Sequence, residues 1–129
     1  MRAIDTNVLI RFVTGDDGTQ ALRARALIEA GDIFVATTVL LECEWVLRSA
    51  YDFDPGRIAA AFRAFAGLPG VTLEDPRRIA RALDWTERGM DFADALHLAG
   101  AEGCSAFLTF DRRLAEIAAD LSGTAVRTP

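Results

Sequence analysis

Short β-prone apolar runs alternate with helical segments that mostly open on an acidic or hydroxyl cap, and no feature of the chain limits its fold more. Arg2-Ala3-Ile4-Asp5 is too short for a helix, and the triplet Asp5-Thr6-Asn7 can cap the run Val8 to Val13. After the turn Gly15-Asp16-Asp17-Gly18, Leu22, Ala26 and Ala30 recur at four-residue steps until Gly31, which predicts a second helix. Ile33 to Ala36 reads as a strand, and Thr37-Thr38 opens a helix with Leu40, Cys43, Leu47 and Ala50 on its apolar face. Asp54-Pro55 and Asp75-Pro76 each pair a cap with proline at the first helical position, for helices ending near Gly67 and Gly89 around a strand at Val71-Thr72-Leu73. Asp91 starts a helix expected to reach Gly103, Ala106 to Thr109 is a fourth strand, Asp111 caps a helix to about Leu121, and Ala125-Val126 adds a short last strand. Such alternation predicts an α/β fold with a mostly parallel sheet of four to five strands, right-handed crossovers and helices on both faces. Ligands of such sheets sit beyond the carboxyl ends of the strands, where strand order reverses, and Asp5 and Asp111 both fall at strand ends.

At 129 residues, about half of them hydrophobic, one domain over 1–129 is the expectation. No stretch reads as an export signal or a membrane span, and the two cysteines, Cys43 and Cys104, lie in segments that read as helix and are expected to be buried thiols. A reducing cytoplasm is the expected location. The net charge of -5 excludes a generic basic nucleic-acid binder, so any nucleic acid must be held locally. All 14 basic residues are arginine, which reflects either genome composition or a use of planar forks for phosphate and carboxylate.

Five acids stand out. At helical spacing Glu42 neighbours Val39, Trp45 and Val46, and a carboxylate among apolar groups calls for a compensating partner. Asp91 and Asp94 share one helix face; capping explains Asp91, whereas Asp94, flanked by Phe92, Ala93, Ala95 and Leu96, lies too far inside the helix to be a cap. Asp5 and Asp111 can each be read as ordinary caps. If a doubly wound sheet gathers these acids, their mutual repulsion calls for a cation, and oxygen ligands without a Cys or His cluster select Mg²⁺ or Mn²⁺. Water on such an ion is a usable nucleophile for phosphodiester hydrolysis. His97, the only histidine, is weak evidence alone and reads as a helix residue near the acids. Trp45, Trp85 and the phenylalanines read as core or partner-interface residues rather than base-stacking platforms.

In order along the chain, Ile4-Asp5-Thr6-Asn7-Val8-Leu9, Glu42, Phe92-Ala93-Asp94-Ala95-Leu96 and Leu108-Thr109-Phe110-Asp111 closely resemble the PIN-domain family, and within it the bacterial VapC-type toxins. The resemblance implies a PIN-like three-layer α/β/α sandwich and a metal-dependent endoribonuclease. It implies Asp5, Glu42 and Asp94 as the main catalytic and metal-ligating acids, Asp111 as the fourth, and Asn7 and Thr109 as supporting polar positions. Asp91 is an auxiliary acid that leaves the third ligand open between itself and Asp94. Also implied are an RNA substrate, a VapB-type antitoxin lying across the acidic cleft, and a homodimer or toxin–antitoxin hetero-oligomer. Arg11, Arg48, Arg112 and Arg113 flank the acids and are candidate phosphate contacts. The alternatives are a non-catalytic interaction module using the acids as caps, and a phosphatase or receiver-like domain, which the absence of lysine disfavours.

Overall fold

Three apolar runs pair in parallel in the computed structural model, which describes residues 1–129: β1 (Arg2–Ala3), β2 (Ile33–Val35) and β3 (Val71–Leu73), side by side in that order. Arg2 faces Ile33 and Ala3 faces Phe34, while Ile33, Phe34 and Val35 face Val71, Thr72 and Leu73. The ladder runs past the strand ends: the Ile4 amide donates to the Phe34 carbonyl at 3.2 Å and the Glu74 amide to that of Val35 at 2.9 Å. Parallel neighbours need long crossovers. These are α1 (Thr6–Thr14) with α2 (Gly18–Glu29), then α3 (Thr37–Ala50) with α4 (Pro55–Ala66). Together they form a compact unit over Met1–Pro76.

Between β1 and β2, and again between β2 and β3, the chain turns on a glycine at positive φ, Gly31 (+78°) and Gly70 (+81°), and the two pass so closely that a Cβ on Gly70 would lie 2.7 Å from the Gly31 Cα. Hydrogen alone fits there. The core of this unit is built from Leu9, Ile28, Ile33, Val35, Leu40 and Phe62, with Cys43, Leu47 and Phe65 beside them. The second helix forms where the four-residue spacing predicts it, but Leu22, Ala26 and Ala30 face solvent on it while Ala24 and Ile28 are buried. Ile28 offers the largest branched side chain of that helix to the core, and it decides which face turns inward. Ala50 is likewise exposed at the end of α3.

The second compact unit, Arg77–Pro129, holds nearly all of α5 (Pro76–Glu87), then α6 (Phe92–Gly100), β4 (Phe107–Leu108), α7 (Arg112–Ala119) and β5 (Val126–Arg127). Its core is Ile79, Leu83, Trp85, Phe92, Leu96 and Leu98, joined by Leu114 from α7. Two corrections follow. The five strands do not form one sheet, because β4 and β5 pair only with each other, in parallel with Phe107 facing Val126. In the three-stranded sheet the order β1-β2-β3 contains no reversal, so the crevice expected at a switch in strand order is absent from it. The helix from Asp91 stops at Gly100, and Cys104 in the following turns is exposed rather than buried. No helix is long and apolar enough to cross a membrane.

Candidate nuclease site

Asp5 directly follows the β1 ladder and stands at the N-cap of α1, exposed, with one oxygen accepting the Thr6 amide at 2.8 Å. A bond to the very next amide leaves the second oxygen without a partner and gives only part of what a cap supplies at the second or third helical position. Asn7, two residues on, is exposed at the edge of a cavity of about 380 Å³ between α1 and α2, whose polar lining also includes Arg11, Gln20 and Arg23. Arg11 is committed there: its Nε donates to Gln20 at 2.9 Å, and its head group reaches Tyr51 and Asp16. Arg23 was not among the sequence candidates. The donation of the Tyr51 hydroxyl to Asp16, at 2.7 Å, with the Asp17 amide and Arg11, holds the Asp16 carboxyl below its ordinary value.

Glu42 lies on α3, exposed and without a hydrogen bond or ion pair, and two positions later Glu44 presents the opposite case. Glu44 is 4% exposed, and both its oxygens are taken by the Arg48 guanidinium one turn on, at 3.0 and 3.3 Å. That pairing is bidentate. Arg48 is therefore engaged rather than a candidate for phosphate, and Glu42 is the acid of this helix left available. Ala36 makes no side-chain cap for α3; the Thr37 amide donates instead to Glu74 Oε1 at 2.9 Å, from just beyond β3. Local sequence patterns could not reveal Glu74, because its partner is 37 residues away.

In the second unit three acids come together. Asp91 caps α6 by accepting the Asp94 amide at 3.2 Å, the role its position suggested. Asp94 is partly buried on the first turn, and its carboxyl is raised above the ordinary value by burial first, then by the charges of Asp91 and Asp111, with His97 opposing. No arginine neutralises it. Asp111 follows β4 and caps α7 through the Leu114 amide at 3.1 Å, while Thr109 Oγ1 accepts the Asp111 amide at 3.0 Å and fixes the turn. His97 is exposed on the last turn of α6.

A partly buried carboxylate among like charges, with oxygen donors only, is the donor chemistry of a hard divalent cation. As placed, no three His, Cys, Asp or Glu side chains lie close enough together to hold a metal ion. Residues 3–120 match the sequence profile of the PIN domain. The chain belongs to the PIN domain family. PIN domains are generally nucleases and typically use divalent metals, and the motif acids all fall within the matched span of this PIN domain. No curated protein matches the chain significantly.

Proposed function

We propose that this PIN domain is a Mg²⁺-dependent endoribonuclease, with Mn²⁺ as a substitute, and that it is the toxin of a toxin–antitoxin pair neutralised by a VapB-type antitoxin in the cytoplasm. One observation carries most weight: Asp94, partly buried beside Asp91 and Asp111, forms no ion pair with any arginine, and the only opposing charge acting on it, that of His97, is the smallest of the influences there. A structural carboxylate is normally paired when its surroundings disfavour charge, as Glu44 is by Arg48. In this reading Asp94, Asp5, Glu42 and Asp111 are the ligating acids, and Asp91 holds the helix start against which Asp94 is set. When bound, the divalent ion lowers the pKa of a coordinated water and neutralises charge on the phosphoryl oxygens. The protein's own part would be to present carboxylate oxygens to that ion, which would compensate the Asp94 charge that burial, Asp91 and Asp111 disfavour in the metal-free protein. Thr109 keeps Asp111 in its turn, and Asn7, exposed two residues after Asp5, is the second supporting polar position that the resemblance implies. A homodimer, or a hetero-oligomer with the antitoxin, is the assembly that the resemblance to VapC-type toxins supports.

The reading as a non-catalytic interaction module draws on the spread of the acids, none of which forms a ready three-residue ligand set. The two readings part in one experiment. Purified protein should cleave single-stranded RNA with Mg²⁺ or Mn²⁺ and stop in a chelator, and expression alone should arrest bacterial growth. Asp5→Ala should fold, lose both effects, and need no antitoxin for tolerance, whereas the wild type should need it. A folded Asp5→Ala protein as toxic as the wild type would give the interaction-module reading the field.

A further inference from the structure

Phe110 departs most from what its residue type predicts. It is 81% exposed, the largest value among the big apolar side chains, whereas Phe62, Phe65 and Phe92 are nearly inaccessible. Its backbone is not loose. Thr109 continues the ladder by donating to the Arg127 carbonyl at 2.9 Å, its hydroxyl takes the Asp111 amide, and Asp111 in turn takes the Leu114 amide. A turn anchored on both sides thus holds a bare aromatic ring in water, directly beside a site acid.

The flanks add a second oddity. Arg112 and Arg113 occupy the first turn of α7, where the helix dipole disfavours cations by a few tenths of a kcal/mol. Both are exposed, and neither forms a hydrogen bond or ion pair within the protein. Leu108 is the other exposed apolar side chain of this segment. Only two exposed apolar side chains belong to this segment, and acidic Asp111 and cationic Arg112 and Arg113 follow Phe110 directly, so an extended apolar docking face is not formed by it. An aromatic face with unpaired guanidinium groups beside it is the combination that binds single-stranded nucleic acid, the ring for a base and the cations for the backbone.

We infer that Phe110 is a base-stacking residue for single-stranded RNA, holding an unpaired base next to the phosphodiester presented to Asp111 and Asp94, with Arg112 and Arg113 on the flanking phosphates. This rests on the ribonuclease reading above and adds to it a substrate requirement, an unstacked base at the cut. The cost of splaying a base out of a duplex then makes single-stranded RNA the preferred ligand.

The test measures binding of a labelled short single-stranded RNA to the full-length protein in the Asp94→Asn background, where cleavage does not interfere, and cleavage by each substitution in the otherwise wild-type chain. Phe110→Ala and Phe110→Leu should each weaken binding about tenfold, the order lost with one base–aromatic stack, while Phe110→Trp should restore it. Circular dichroism should be unchanged in all three, since the ring packs against nothing. Phe110→Leu binding as well as the wild type would overturn stacking in favour of a plain apolar contact. Phe110→Ala that binds and cleaves RNA normally but no longer self-associates or holds its antitoxin would make the surface a protein interface. If the parent protein neither binds nor cleaves RNA, the ribonuclease reading falls and takes this inference with it; normal RNA cleavage by Phe110→Ala removes this inference alone.

Discussion

Replacing Gly70 by alanine should cost far more than the same change at Gly15, although the two backbones are almost equally left-handed, at φ +81° and +70°. Each substitution forces an L-residue into the left-handed region, a penalty of about 1 kcal/mol. At Gly15, behind α1, a Cβ meets nothing within 4 Å, so that penalty is the whole expected effect. At Gly70 the new methyl would sit 2.7 Å from the Gly31 Cα and 3.2 Å from the Asp32 amide nitrogen, both backbone atoms that no rotamer change can move aside. Relief requires the β2 and β3 approaches to part, which also strains the bond from the Ile33 amide to the Gly70 carbonyl at 2.8 Å. Overpacking of this kind costs about 1–3 kcal/mol, for a total near 3 kcal/mol at Gly70. At about 4 °C per kcal/mol for a chain of this size, thermal unfolding should shift down by roughly 12 °C for Gly70→Ala and 4 °C for Gly15→Ala. Equal shifts would show that the close pass of the two glycines does not constrain the sheet.

Asp94→Asn should abolish metal-dependent cleavage while leaving the metal-free protein as stable as the wild type or more so, because it removes a charge crowded by Asp91 and Asp111; Asp91→Asn should keep measurable activity, and equal loss in both would show the pair is misassigned. Because the Asp94 carboxyl is raised in the folded state, its ionisation opposes folding above its folded pKa, and this penalty is relieved as pH falls through that value; the stabilising effect of Asp94→Asn should therefore be present at neutral pH and vanish in acid, which urea titrations at several pH values would check. Glu74→Ala should lower stability by about 1 kcal/mol through loss of the α3 cap, and an unchanged urea midpoint would remove that role. A maleimide should label Cys104 in the native protein and spare Cys43, whose buried thiol is pushed up to about 12; fast labelling at two sites would contradict the core packing of α3.

Most helix starts were legible because they are written locally, the start of α3 with its distant cap from Glu74 being the exception. Asp54, Asp91 and Asp111 all take an amide three residues on, as their spacing predicts. Two kinds of fact were not. Partition of five short strands into sheets of three and two depends on pairings between distant residues, which periodicity does not encode. Which face of a weakly patterned helix turns inward is decided by the volume available in the core, and on α2 the evenly spaced Leu22, Ala26 and Ala30 lost to Ile28. At the candidate site, Asp91 as a cap could be read from its position, and the apolar flanks of Asp94 agree with its partial burial. The exposure of Phe110 was hidden, because an aromatic residue among aliphatics reads as core or partner interface and its local sequence does not show which side chains the fold leaves uncovered.

An overall charge of -5 looks unfit for RNA, yet the charge is unevenly shared. Residues 1–76 carry seven arginines against eleven acids, and residues 77–129 carry seven against eight. Three of those eight are Asp91, Asp94 and Asp111, and on the proposed reading a divalent cation bound through Asp94 and Asp111 would change the charge of the second unit from -1 to +1. On the proposed reading metal loading would act as an electrostatic gate: without it the site acids would repel phosphate, and with it Arg112 and Arg113 would become effective. Two such contacts to a single strand give a slope of only about -1.4 in log affinity against log salt, far shallower than a basic nucleic-acid binder shows. On the proposed reading affinity would come mainly from the metal and from stacking, which would let an acidic protein hold RNA at one place without binding it everywhere.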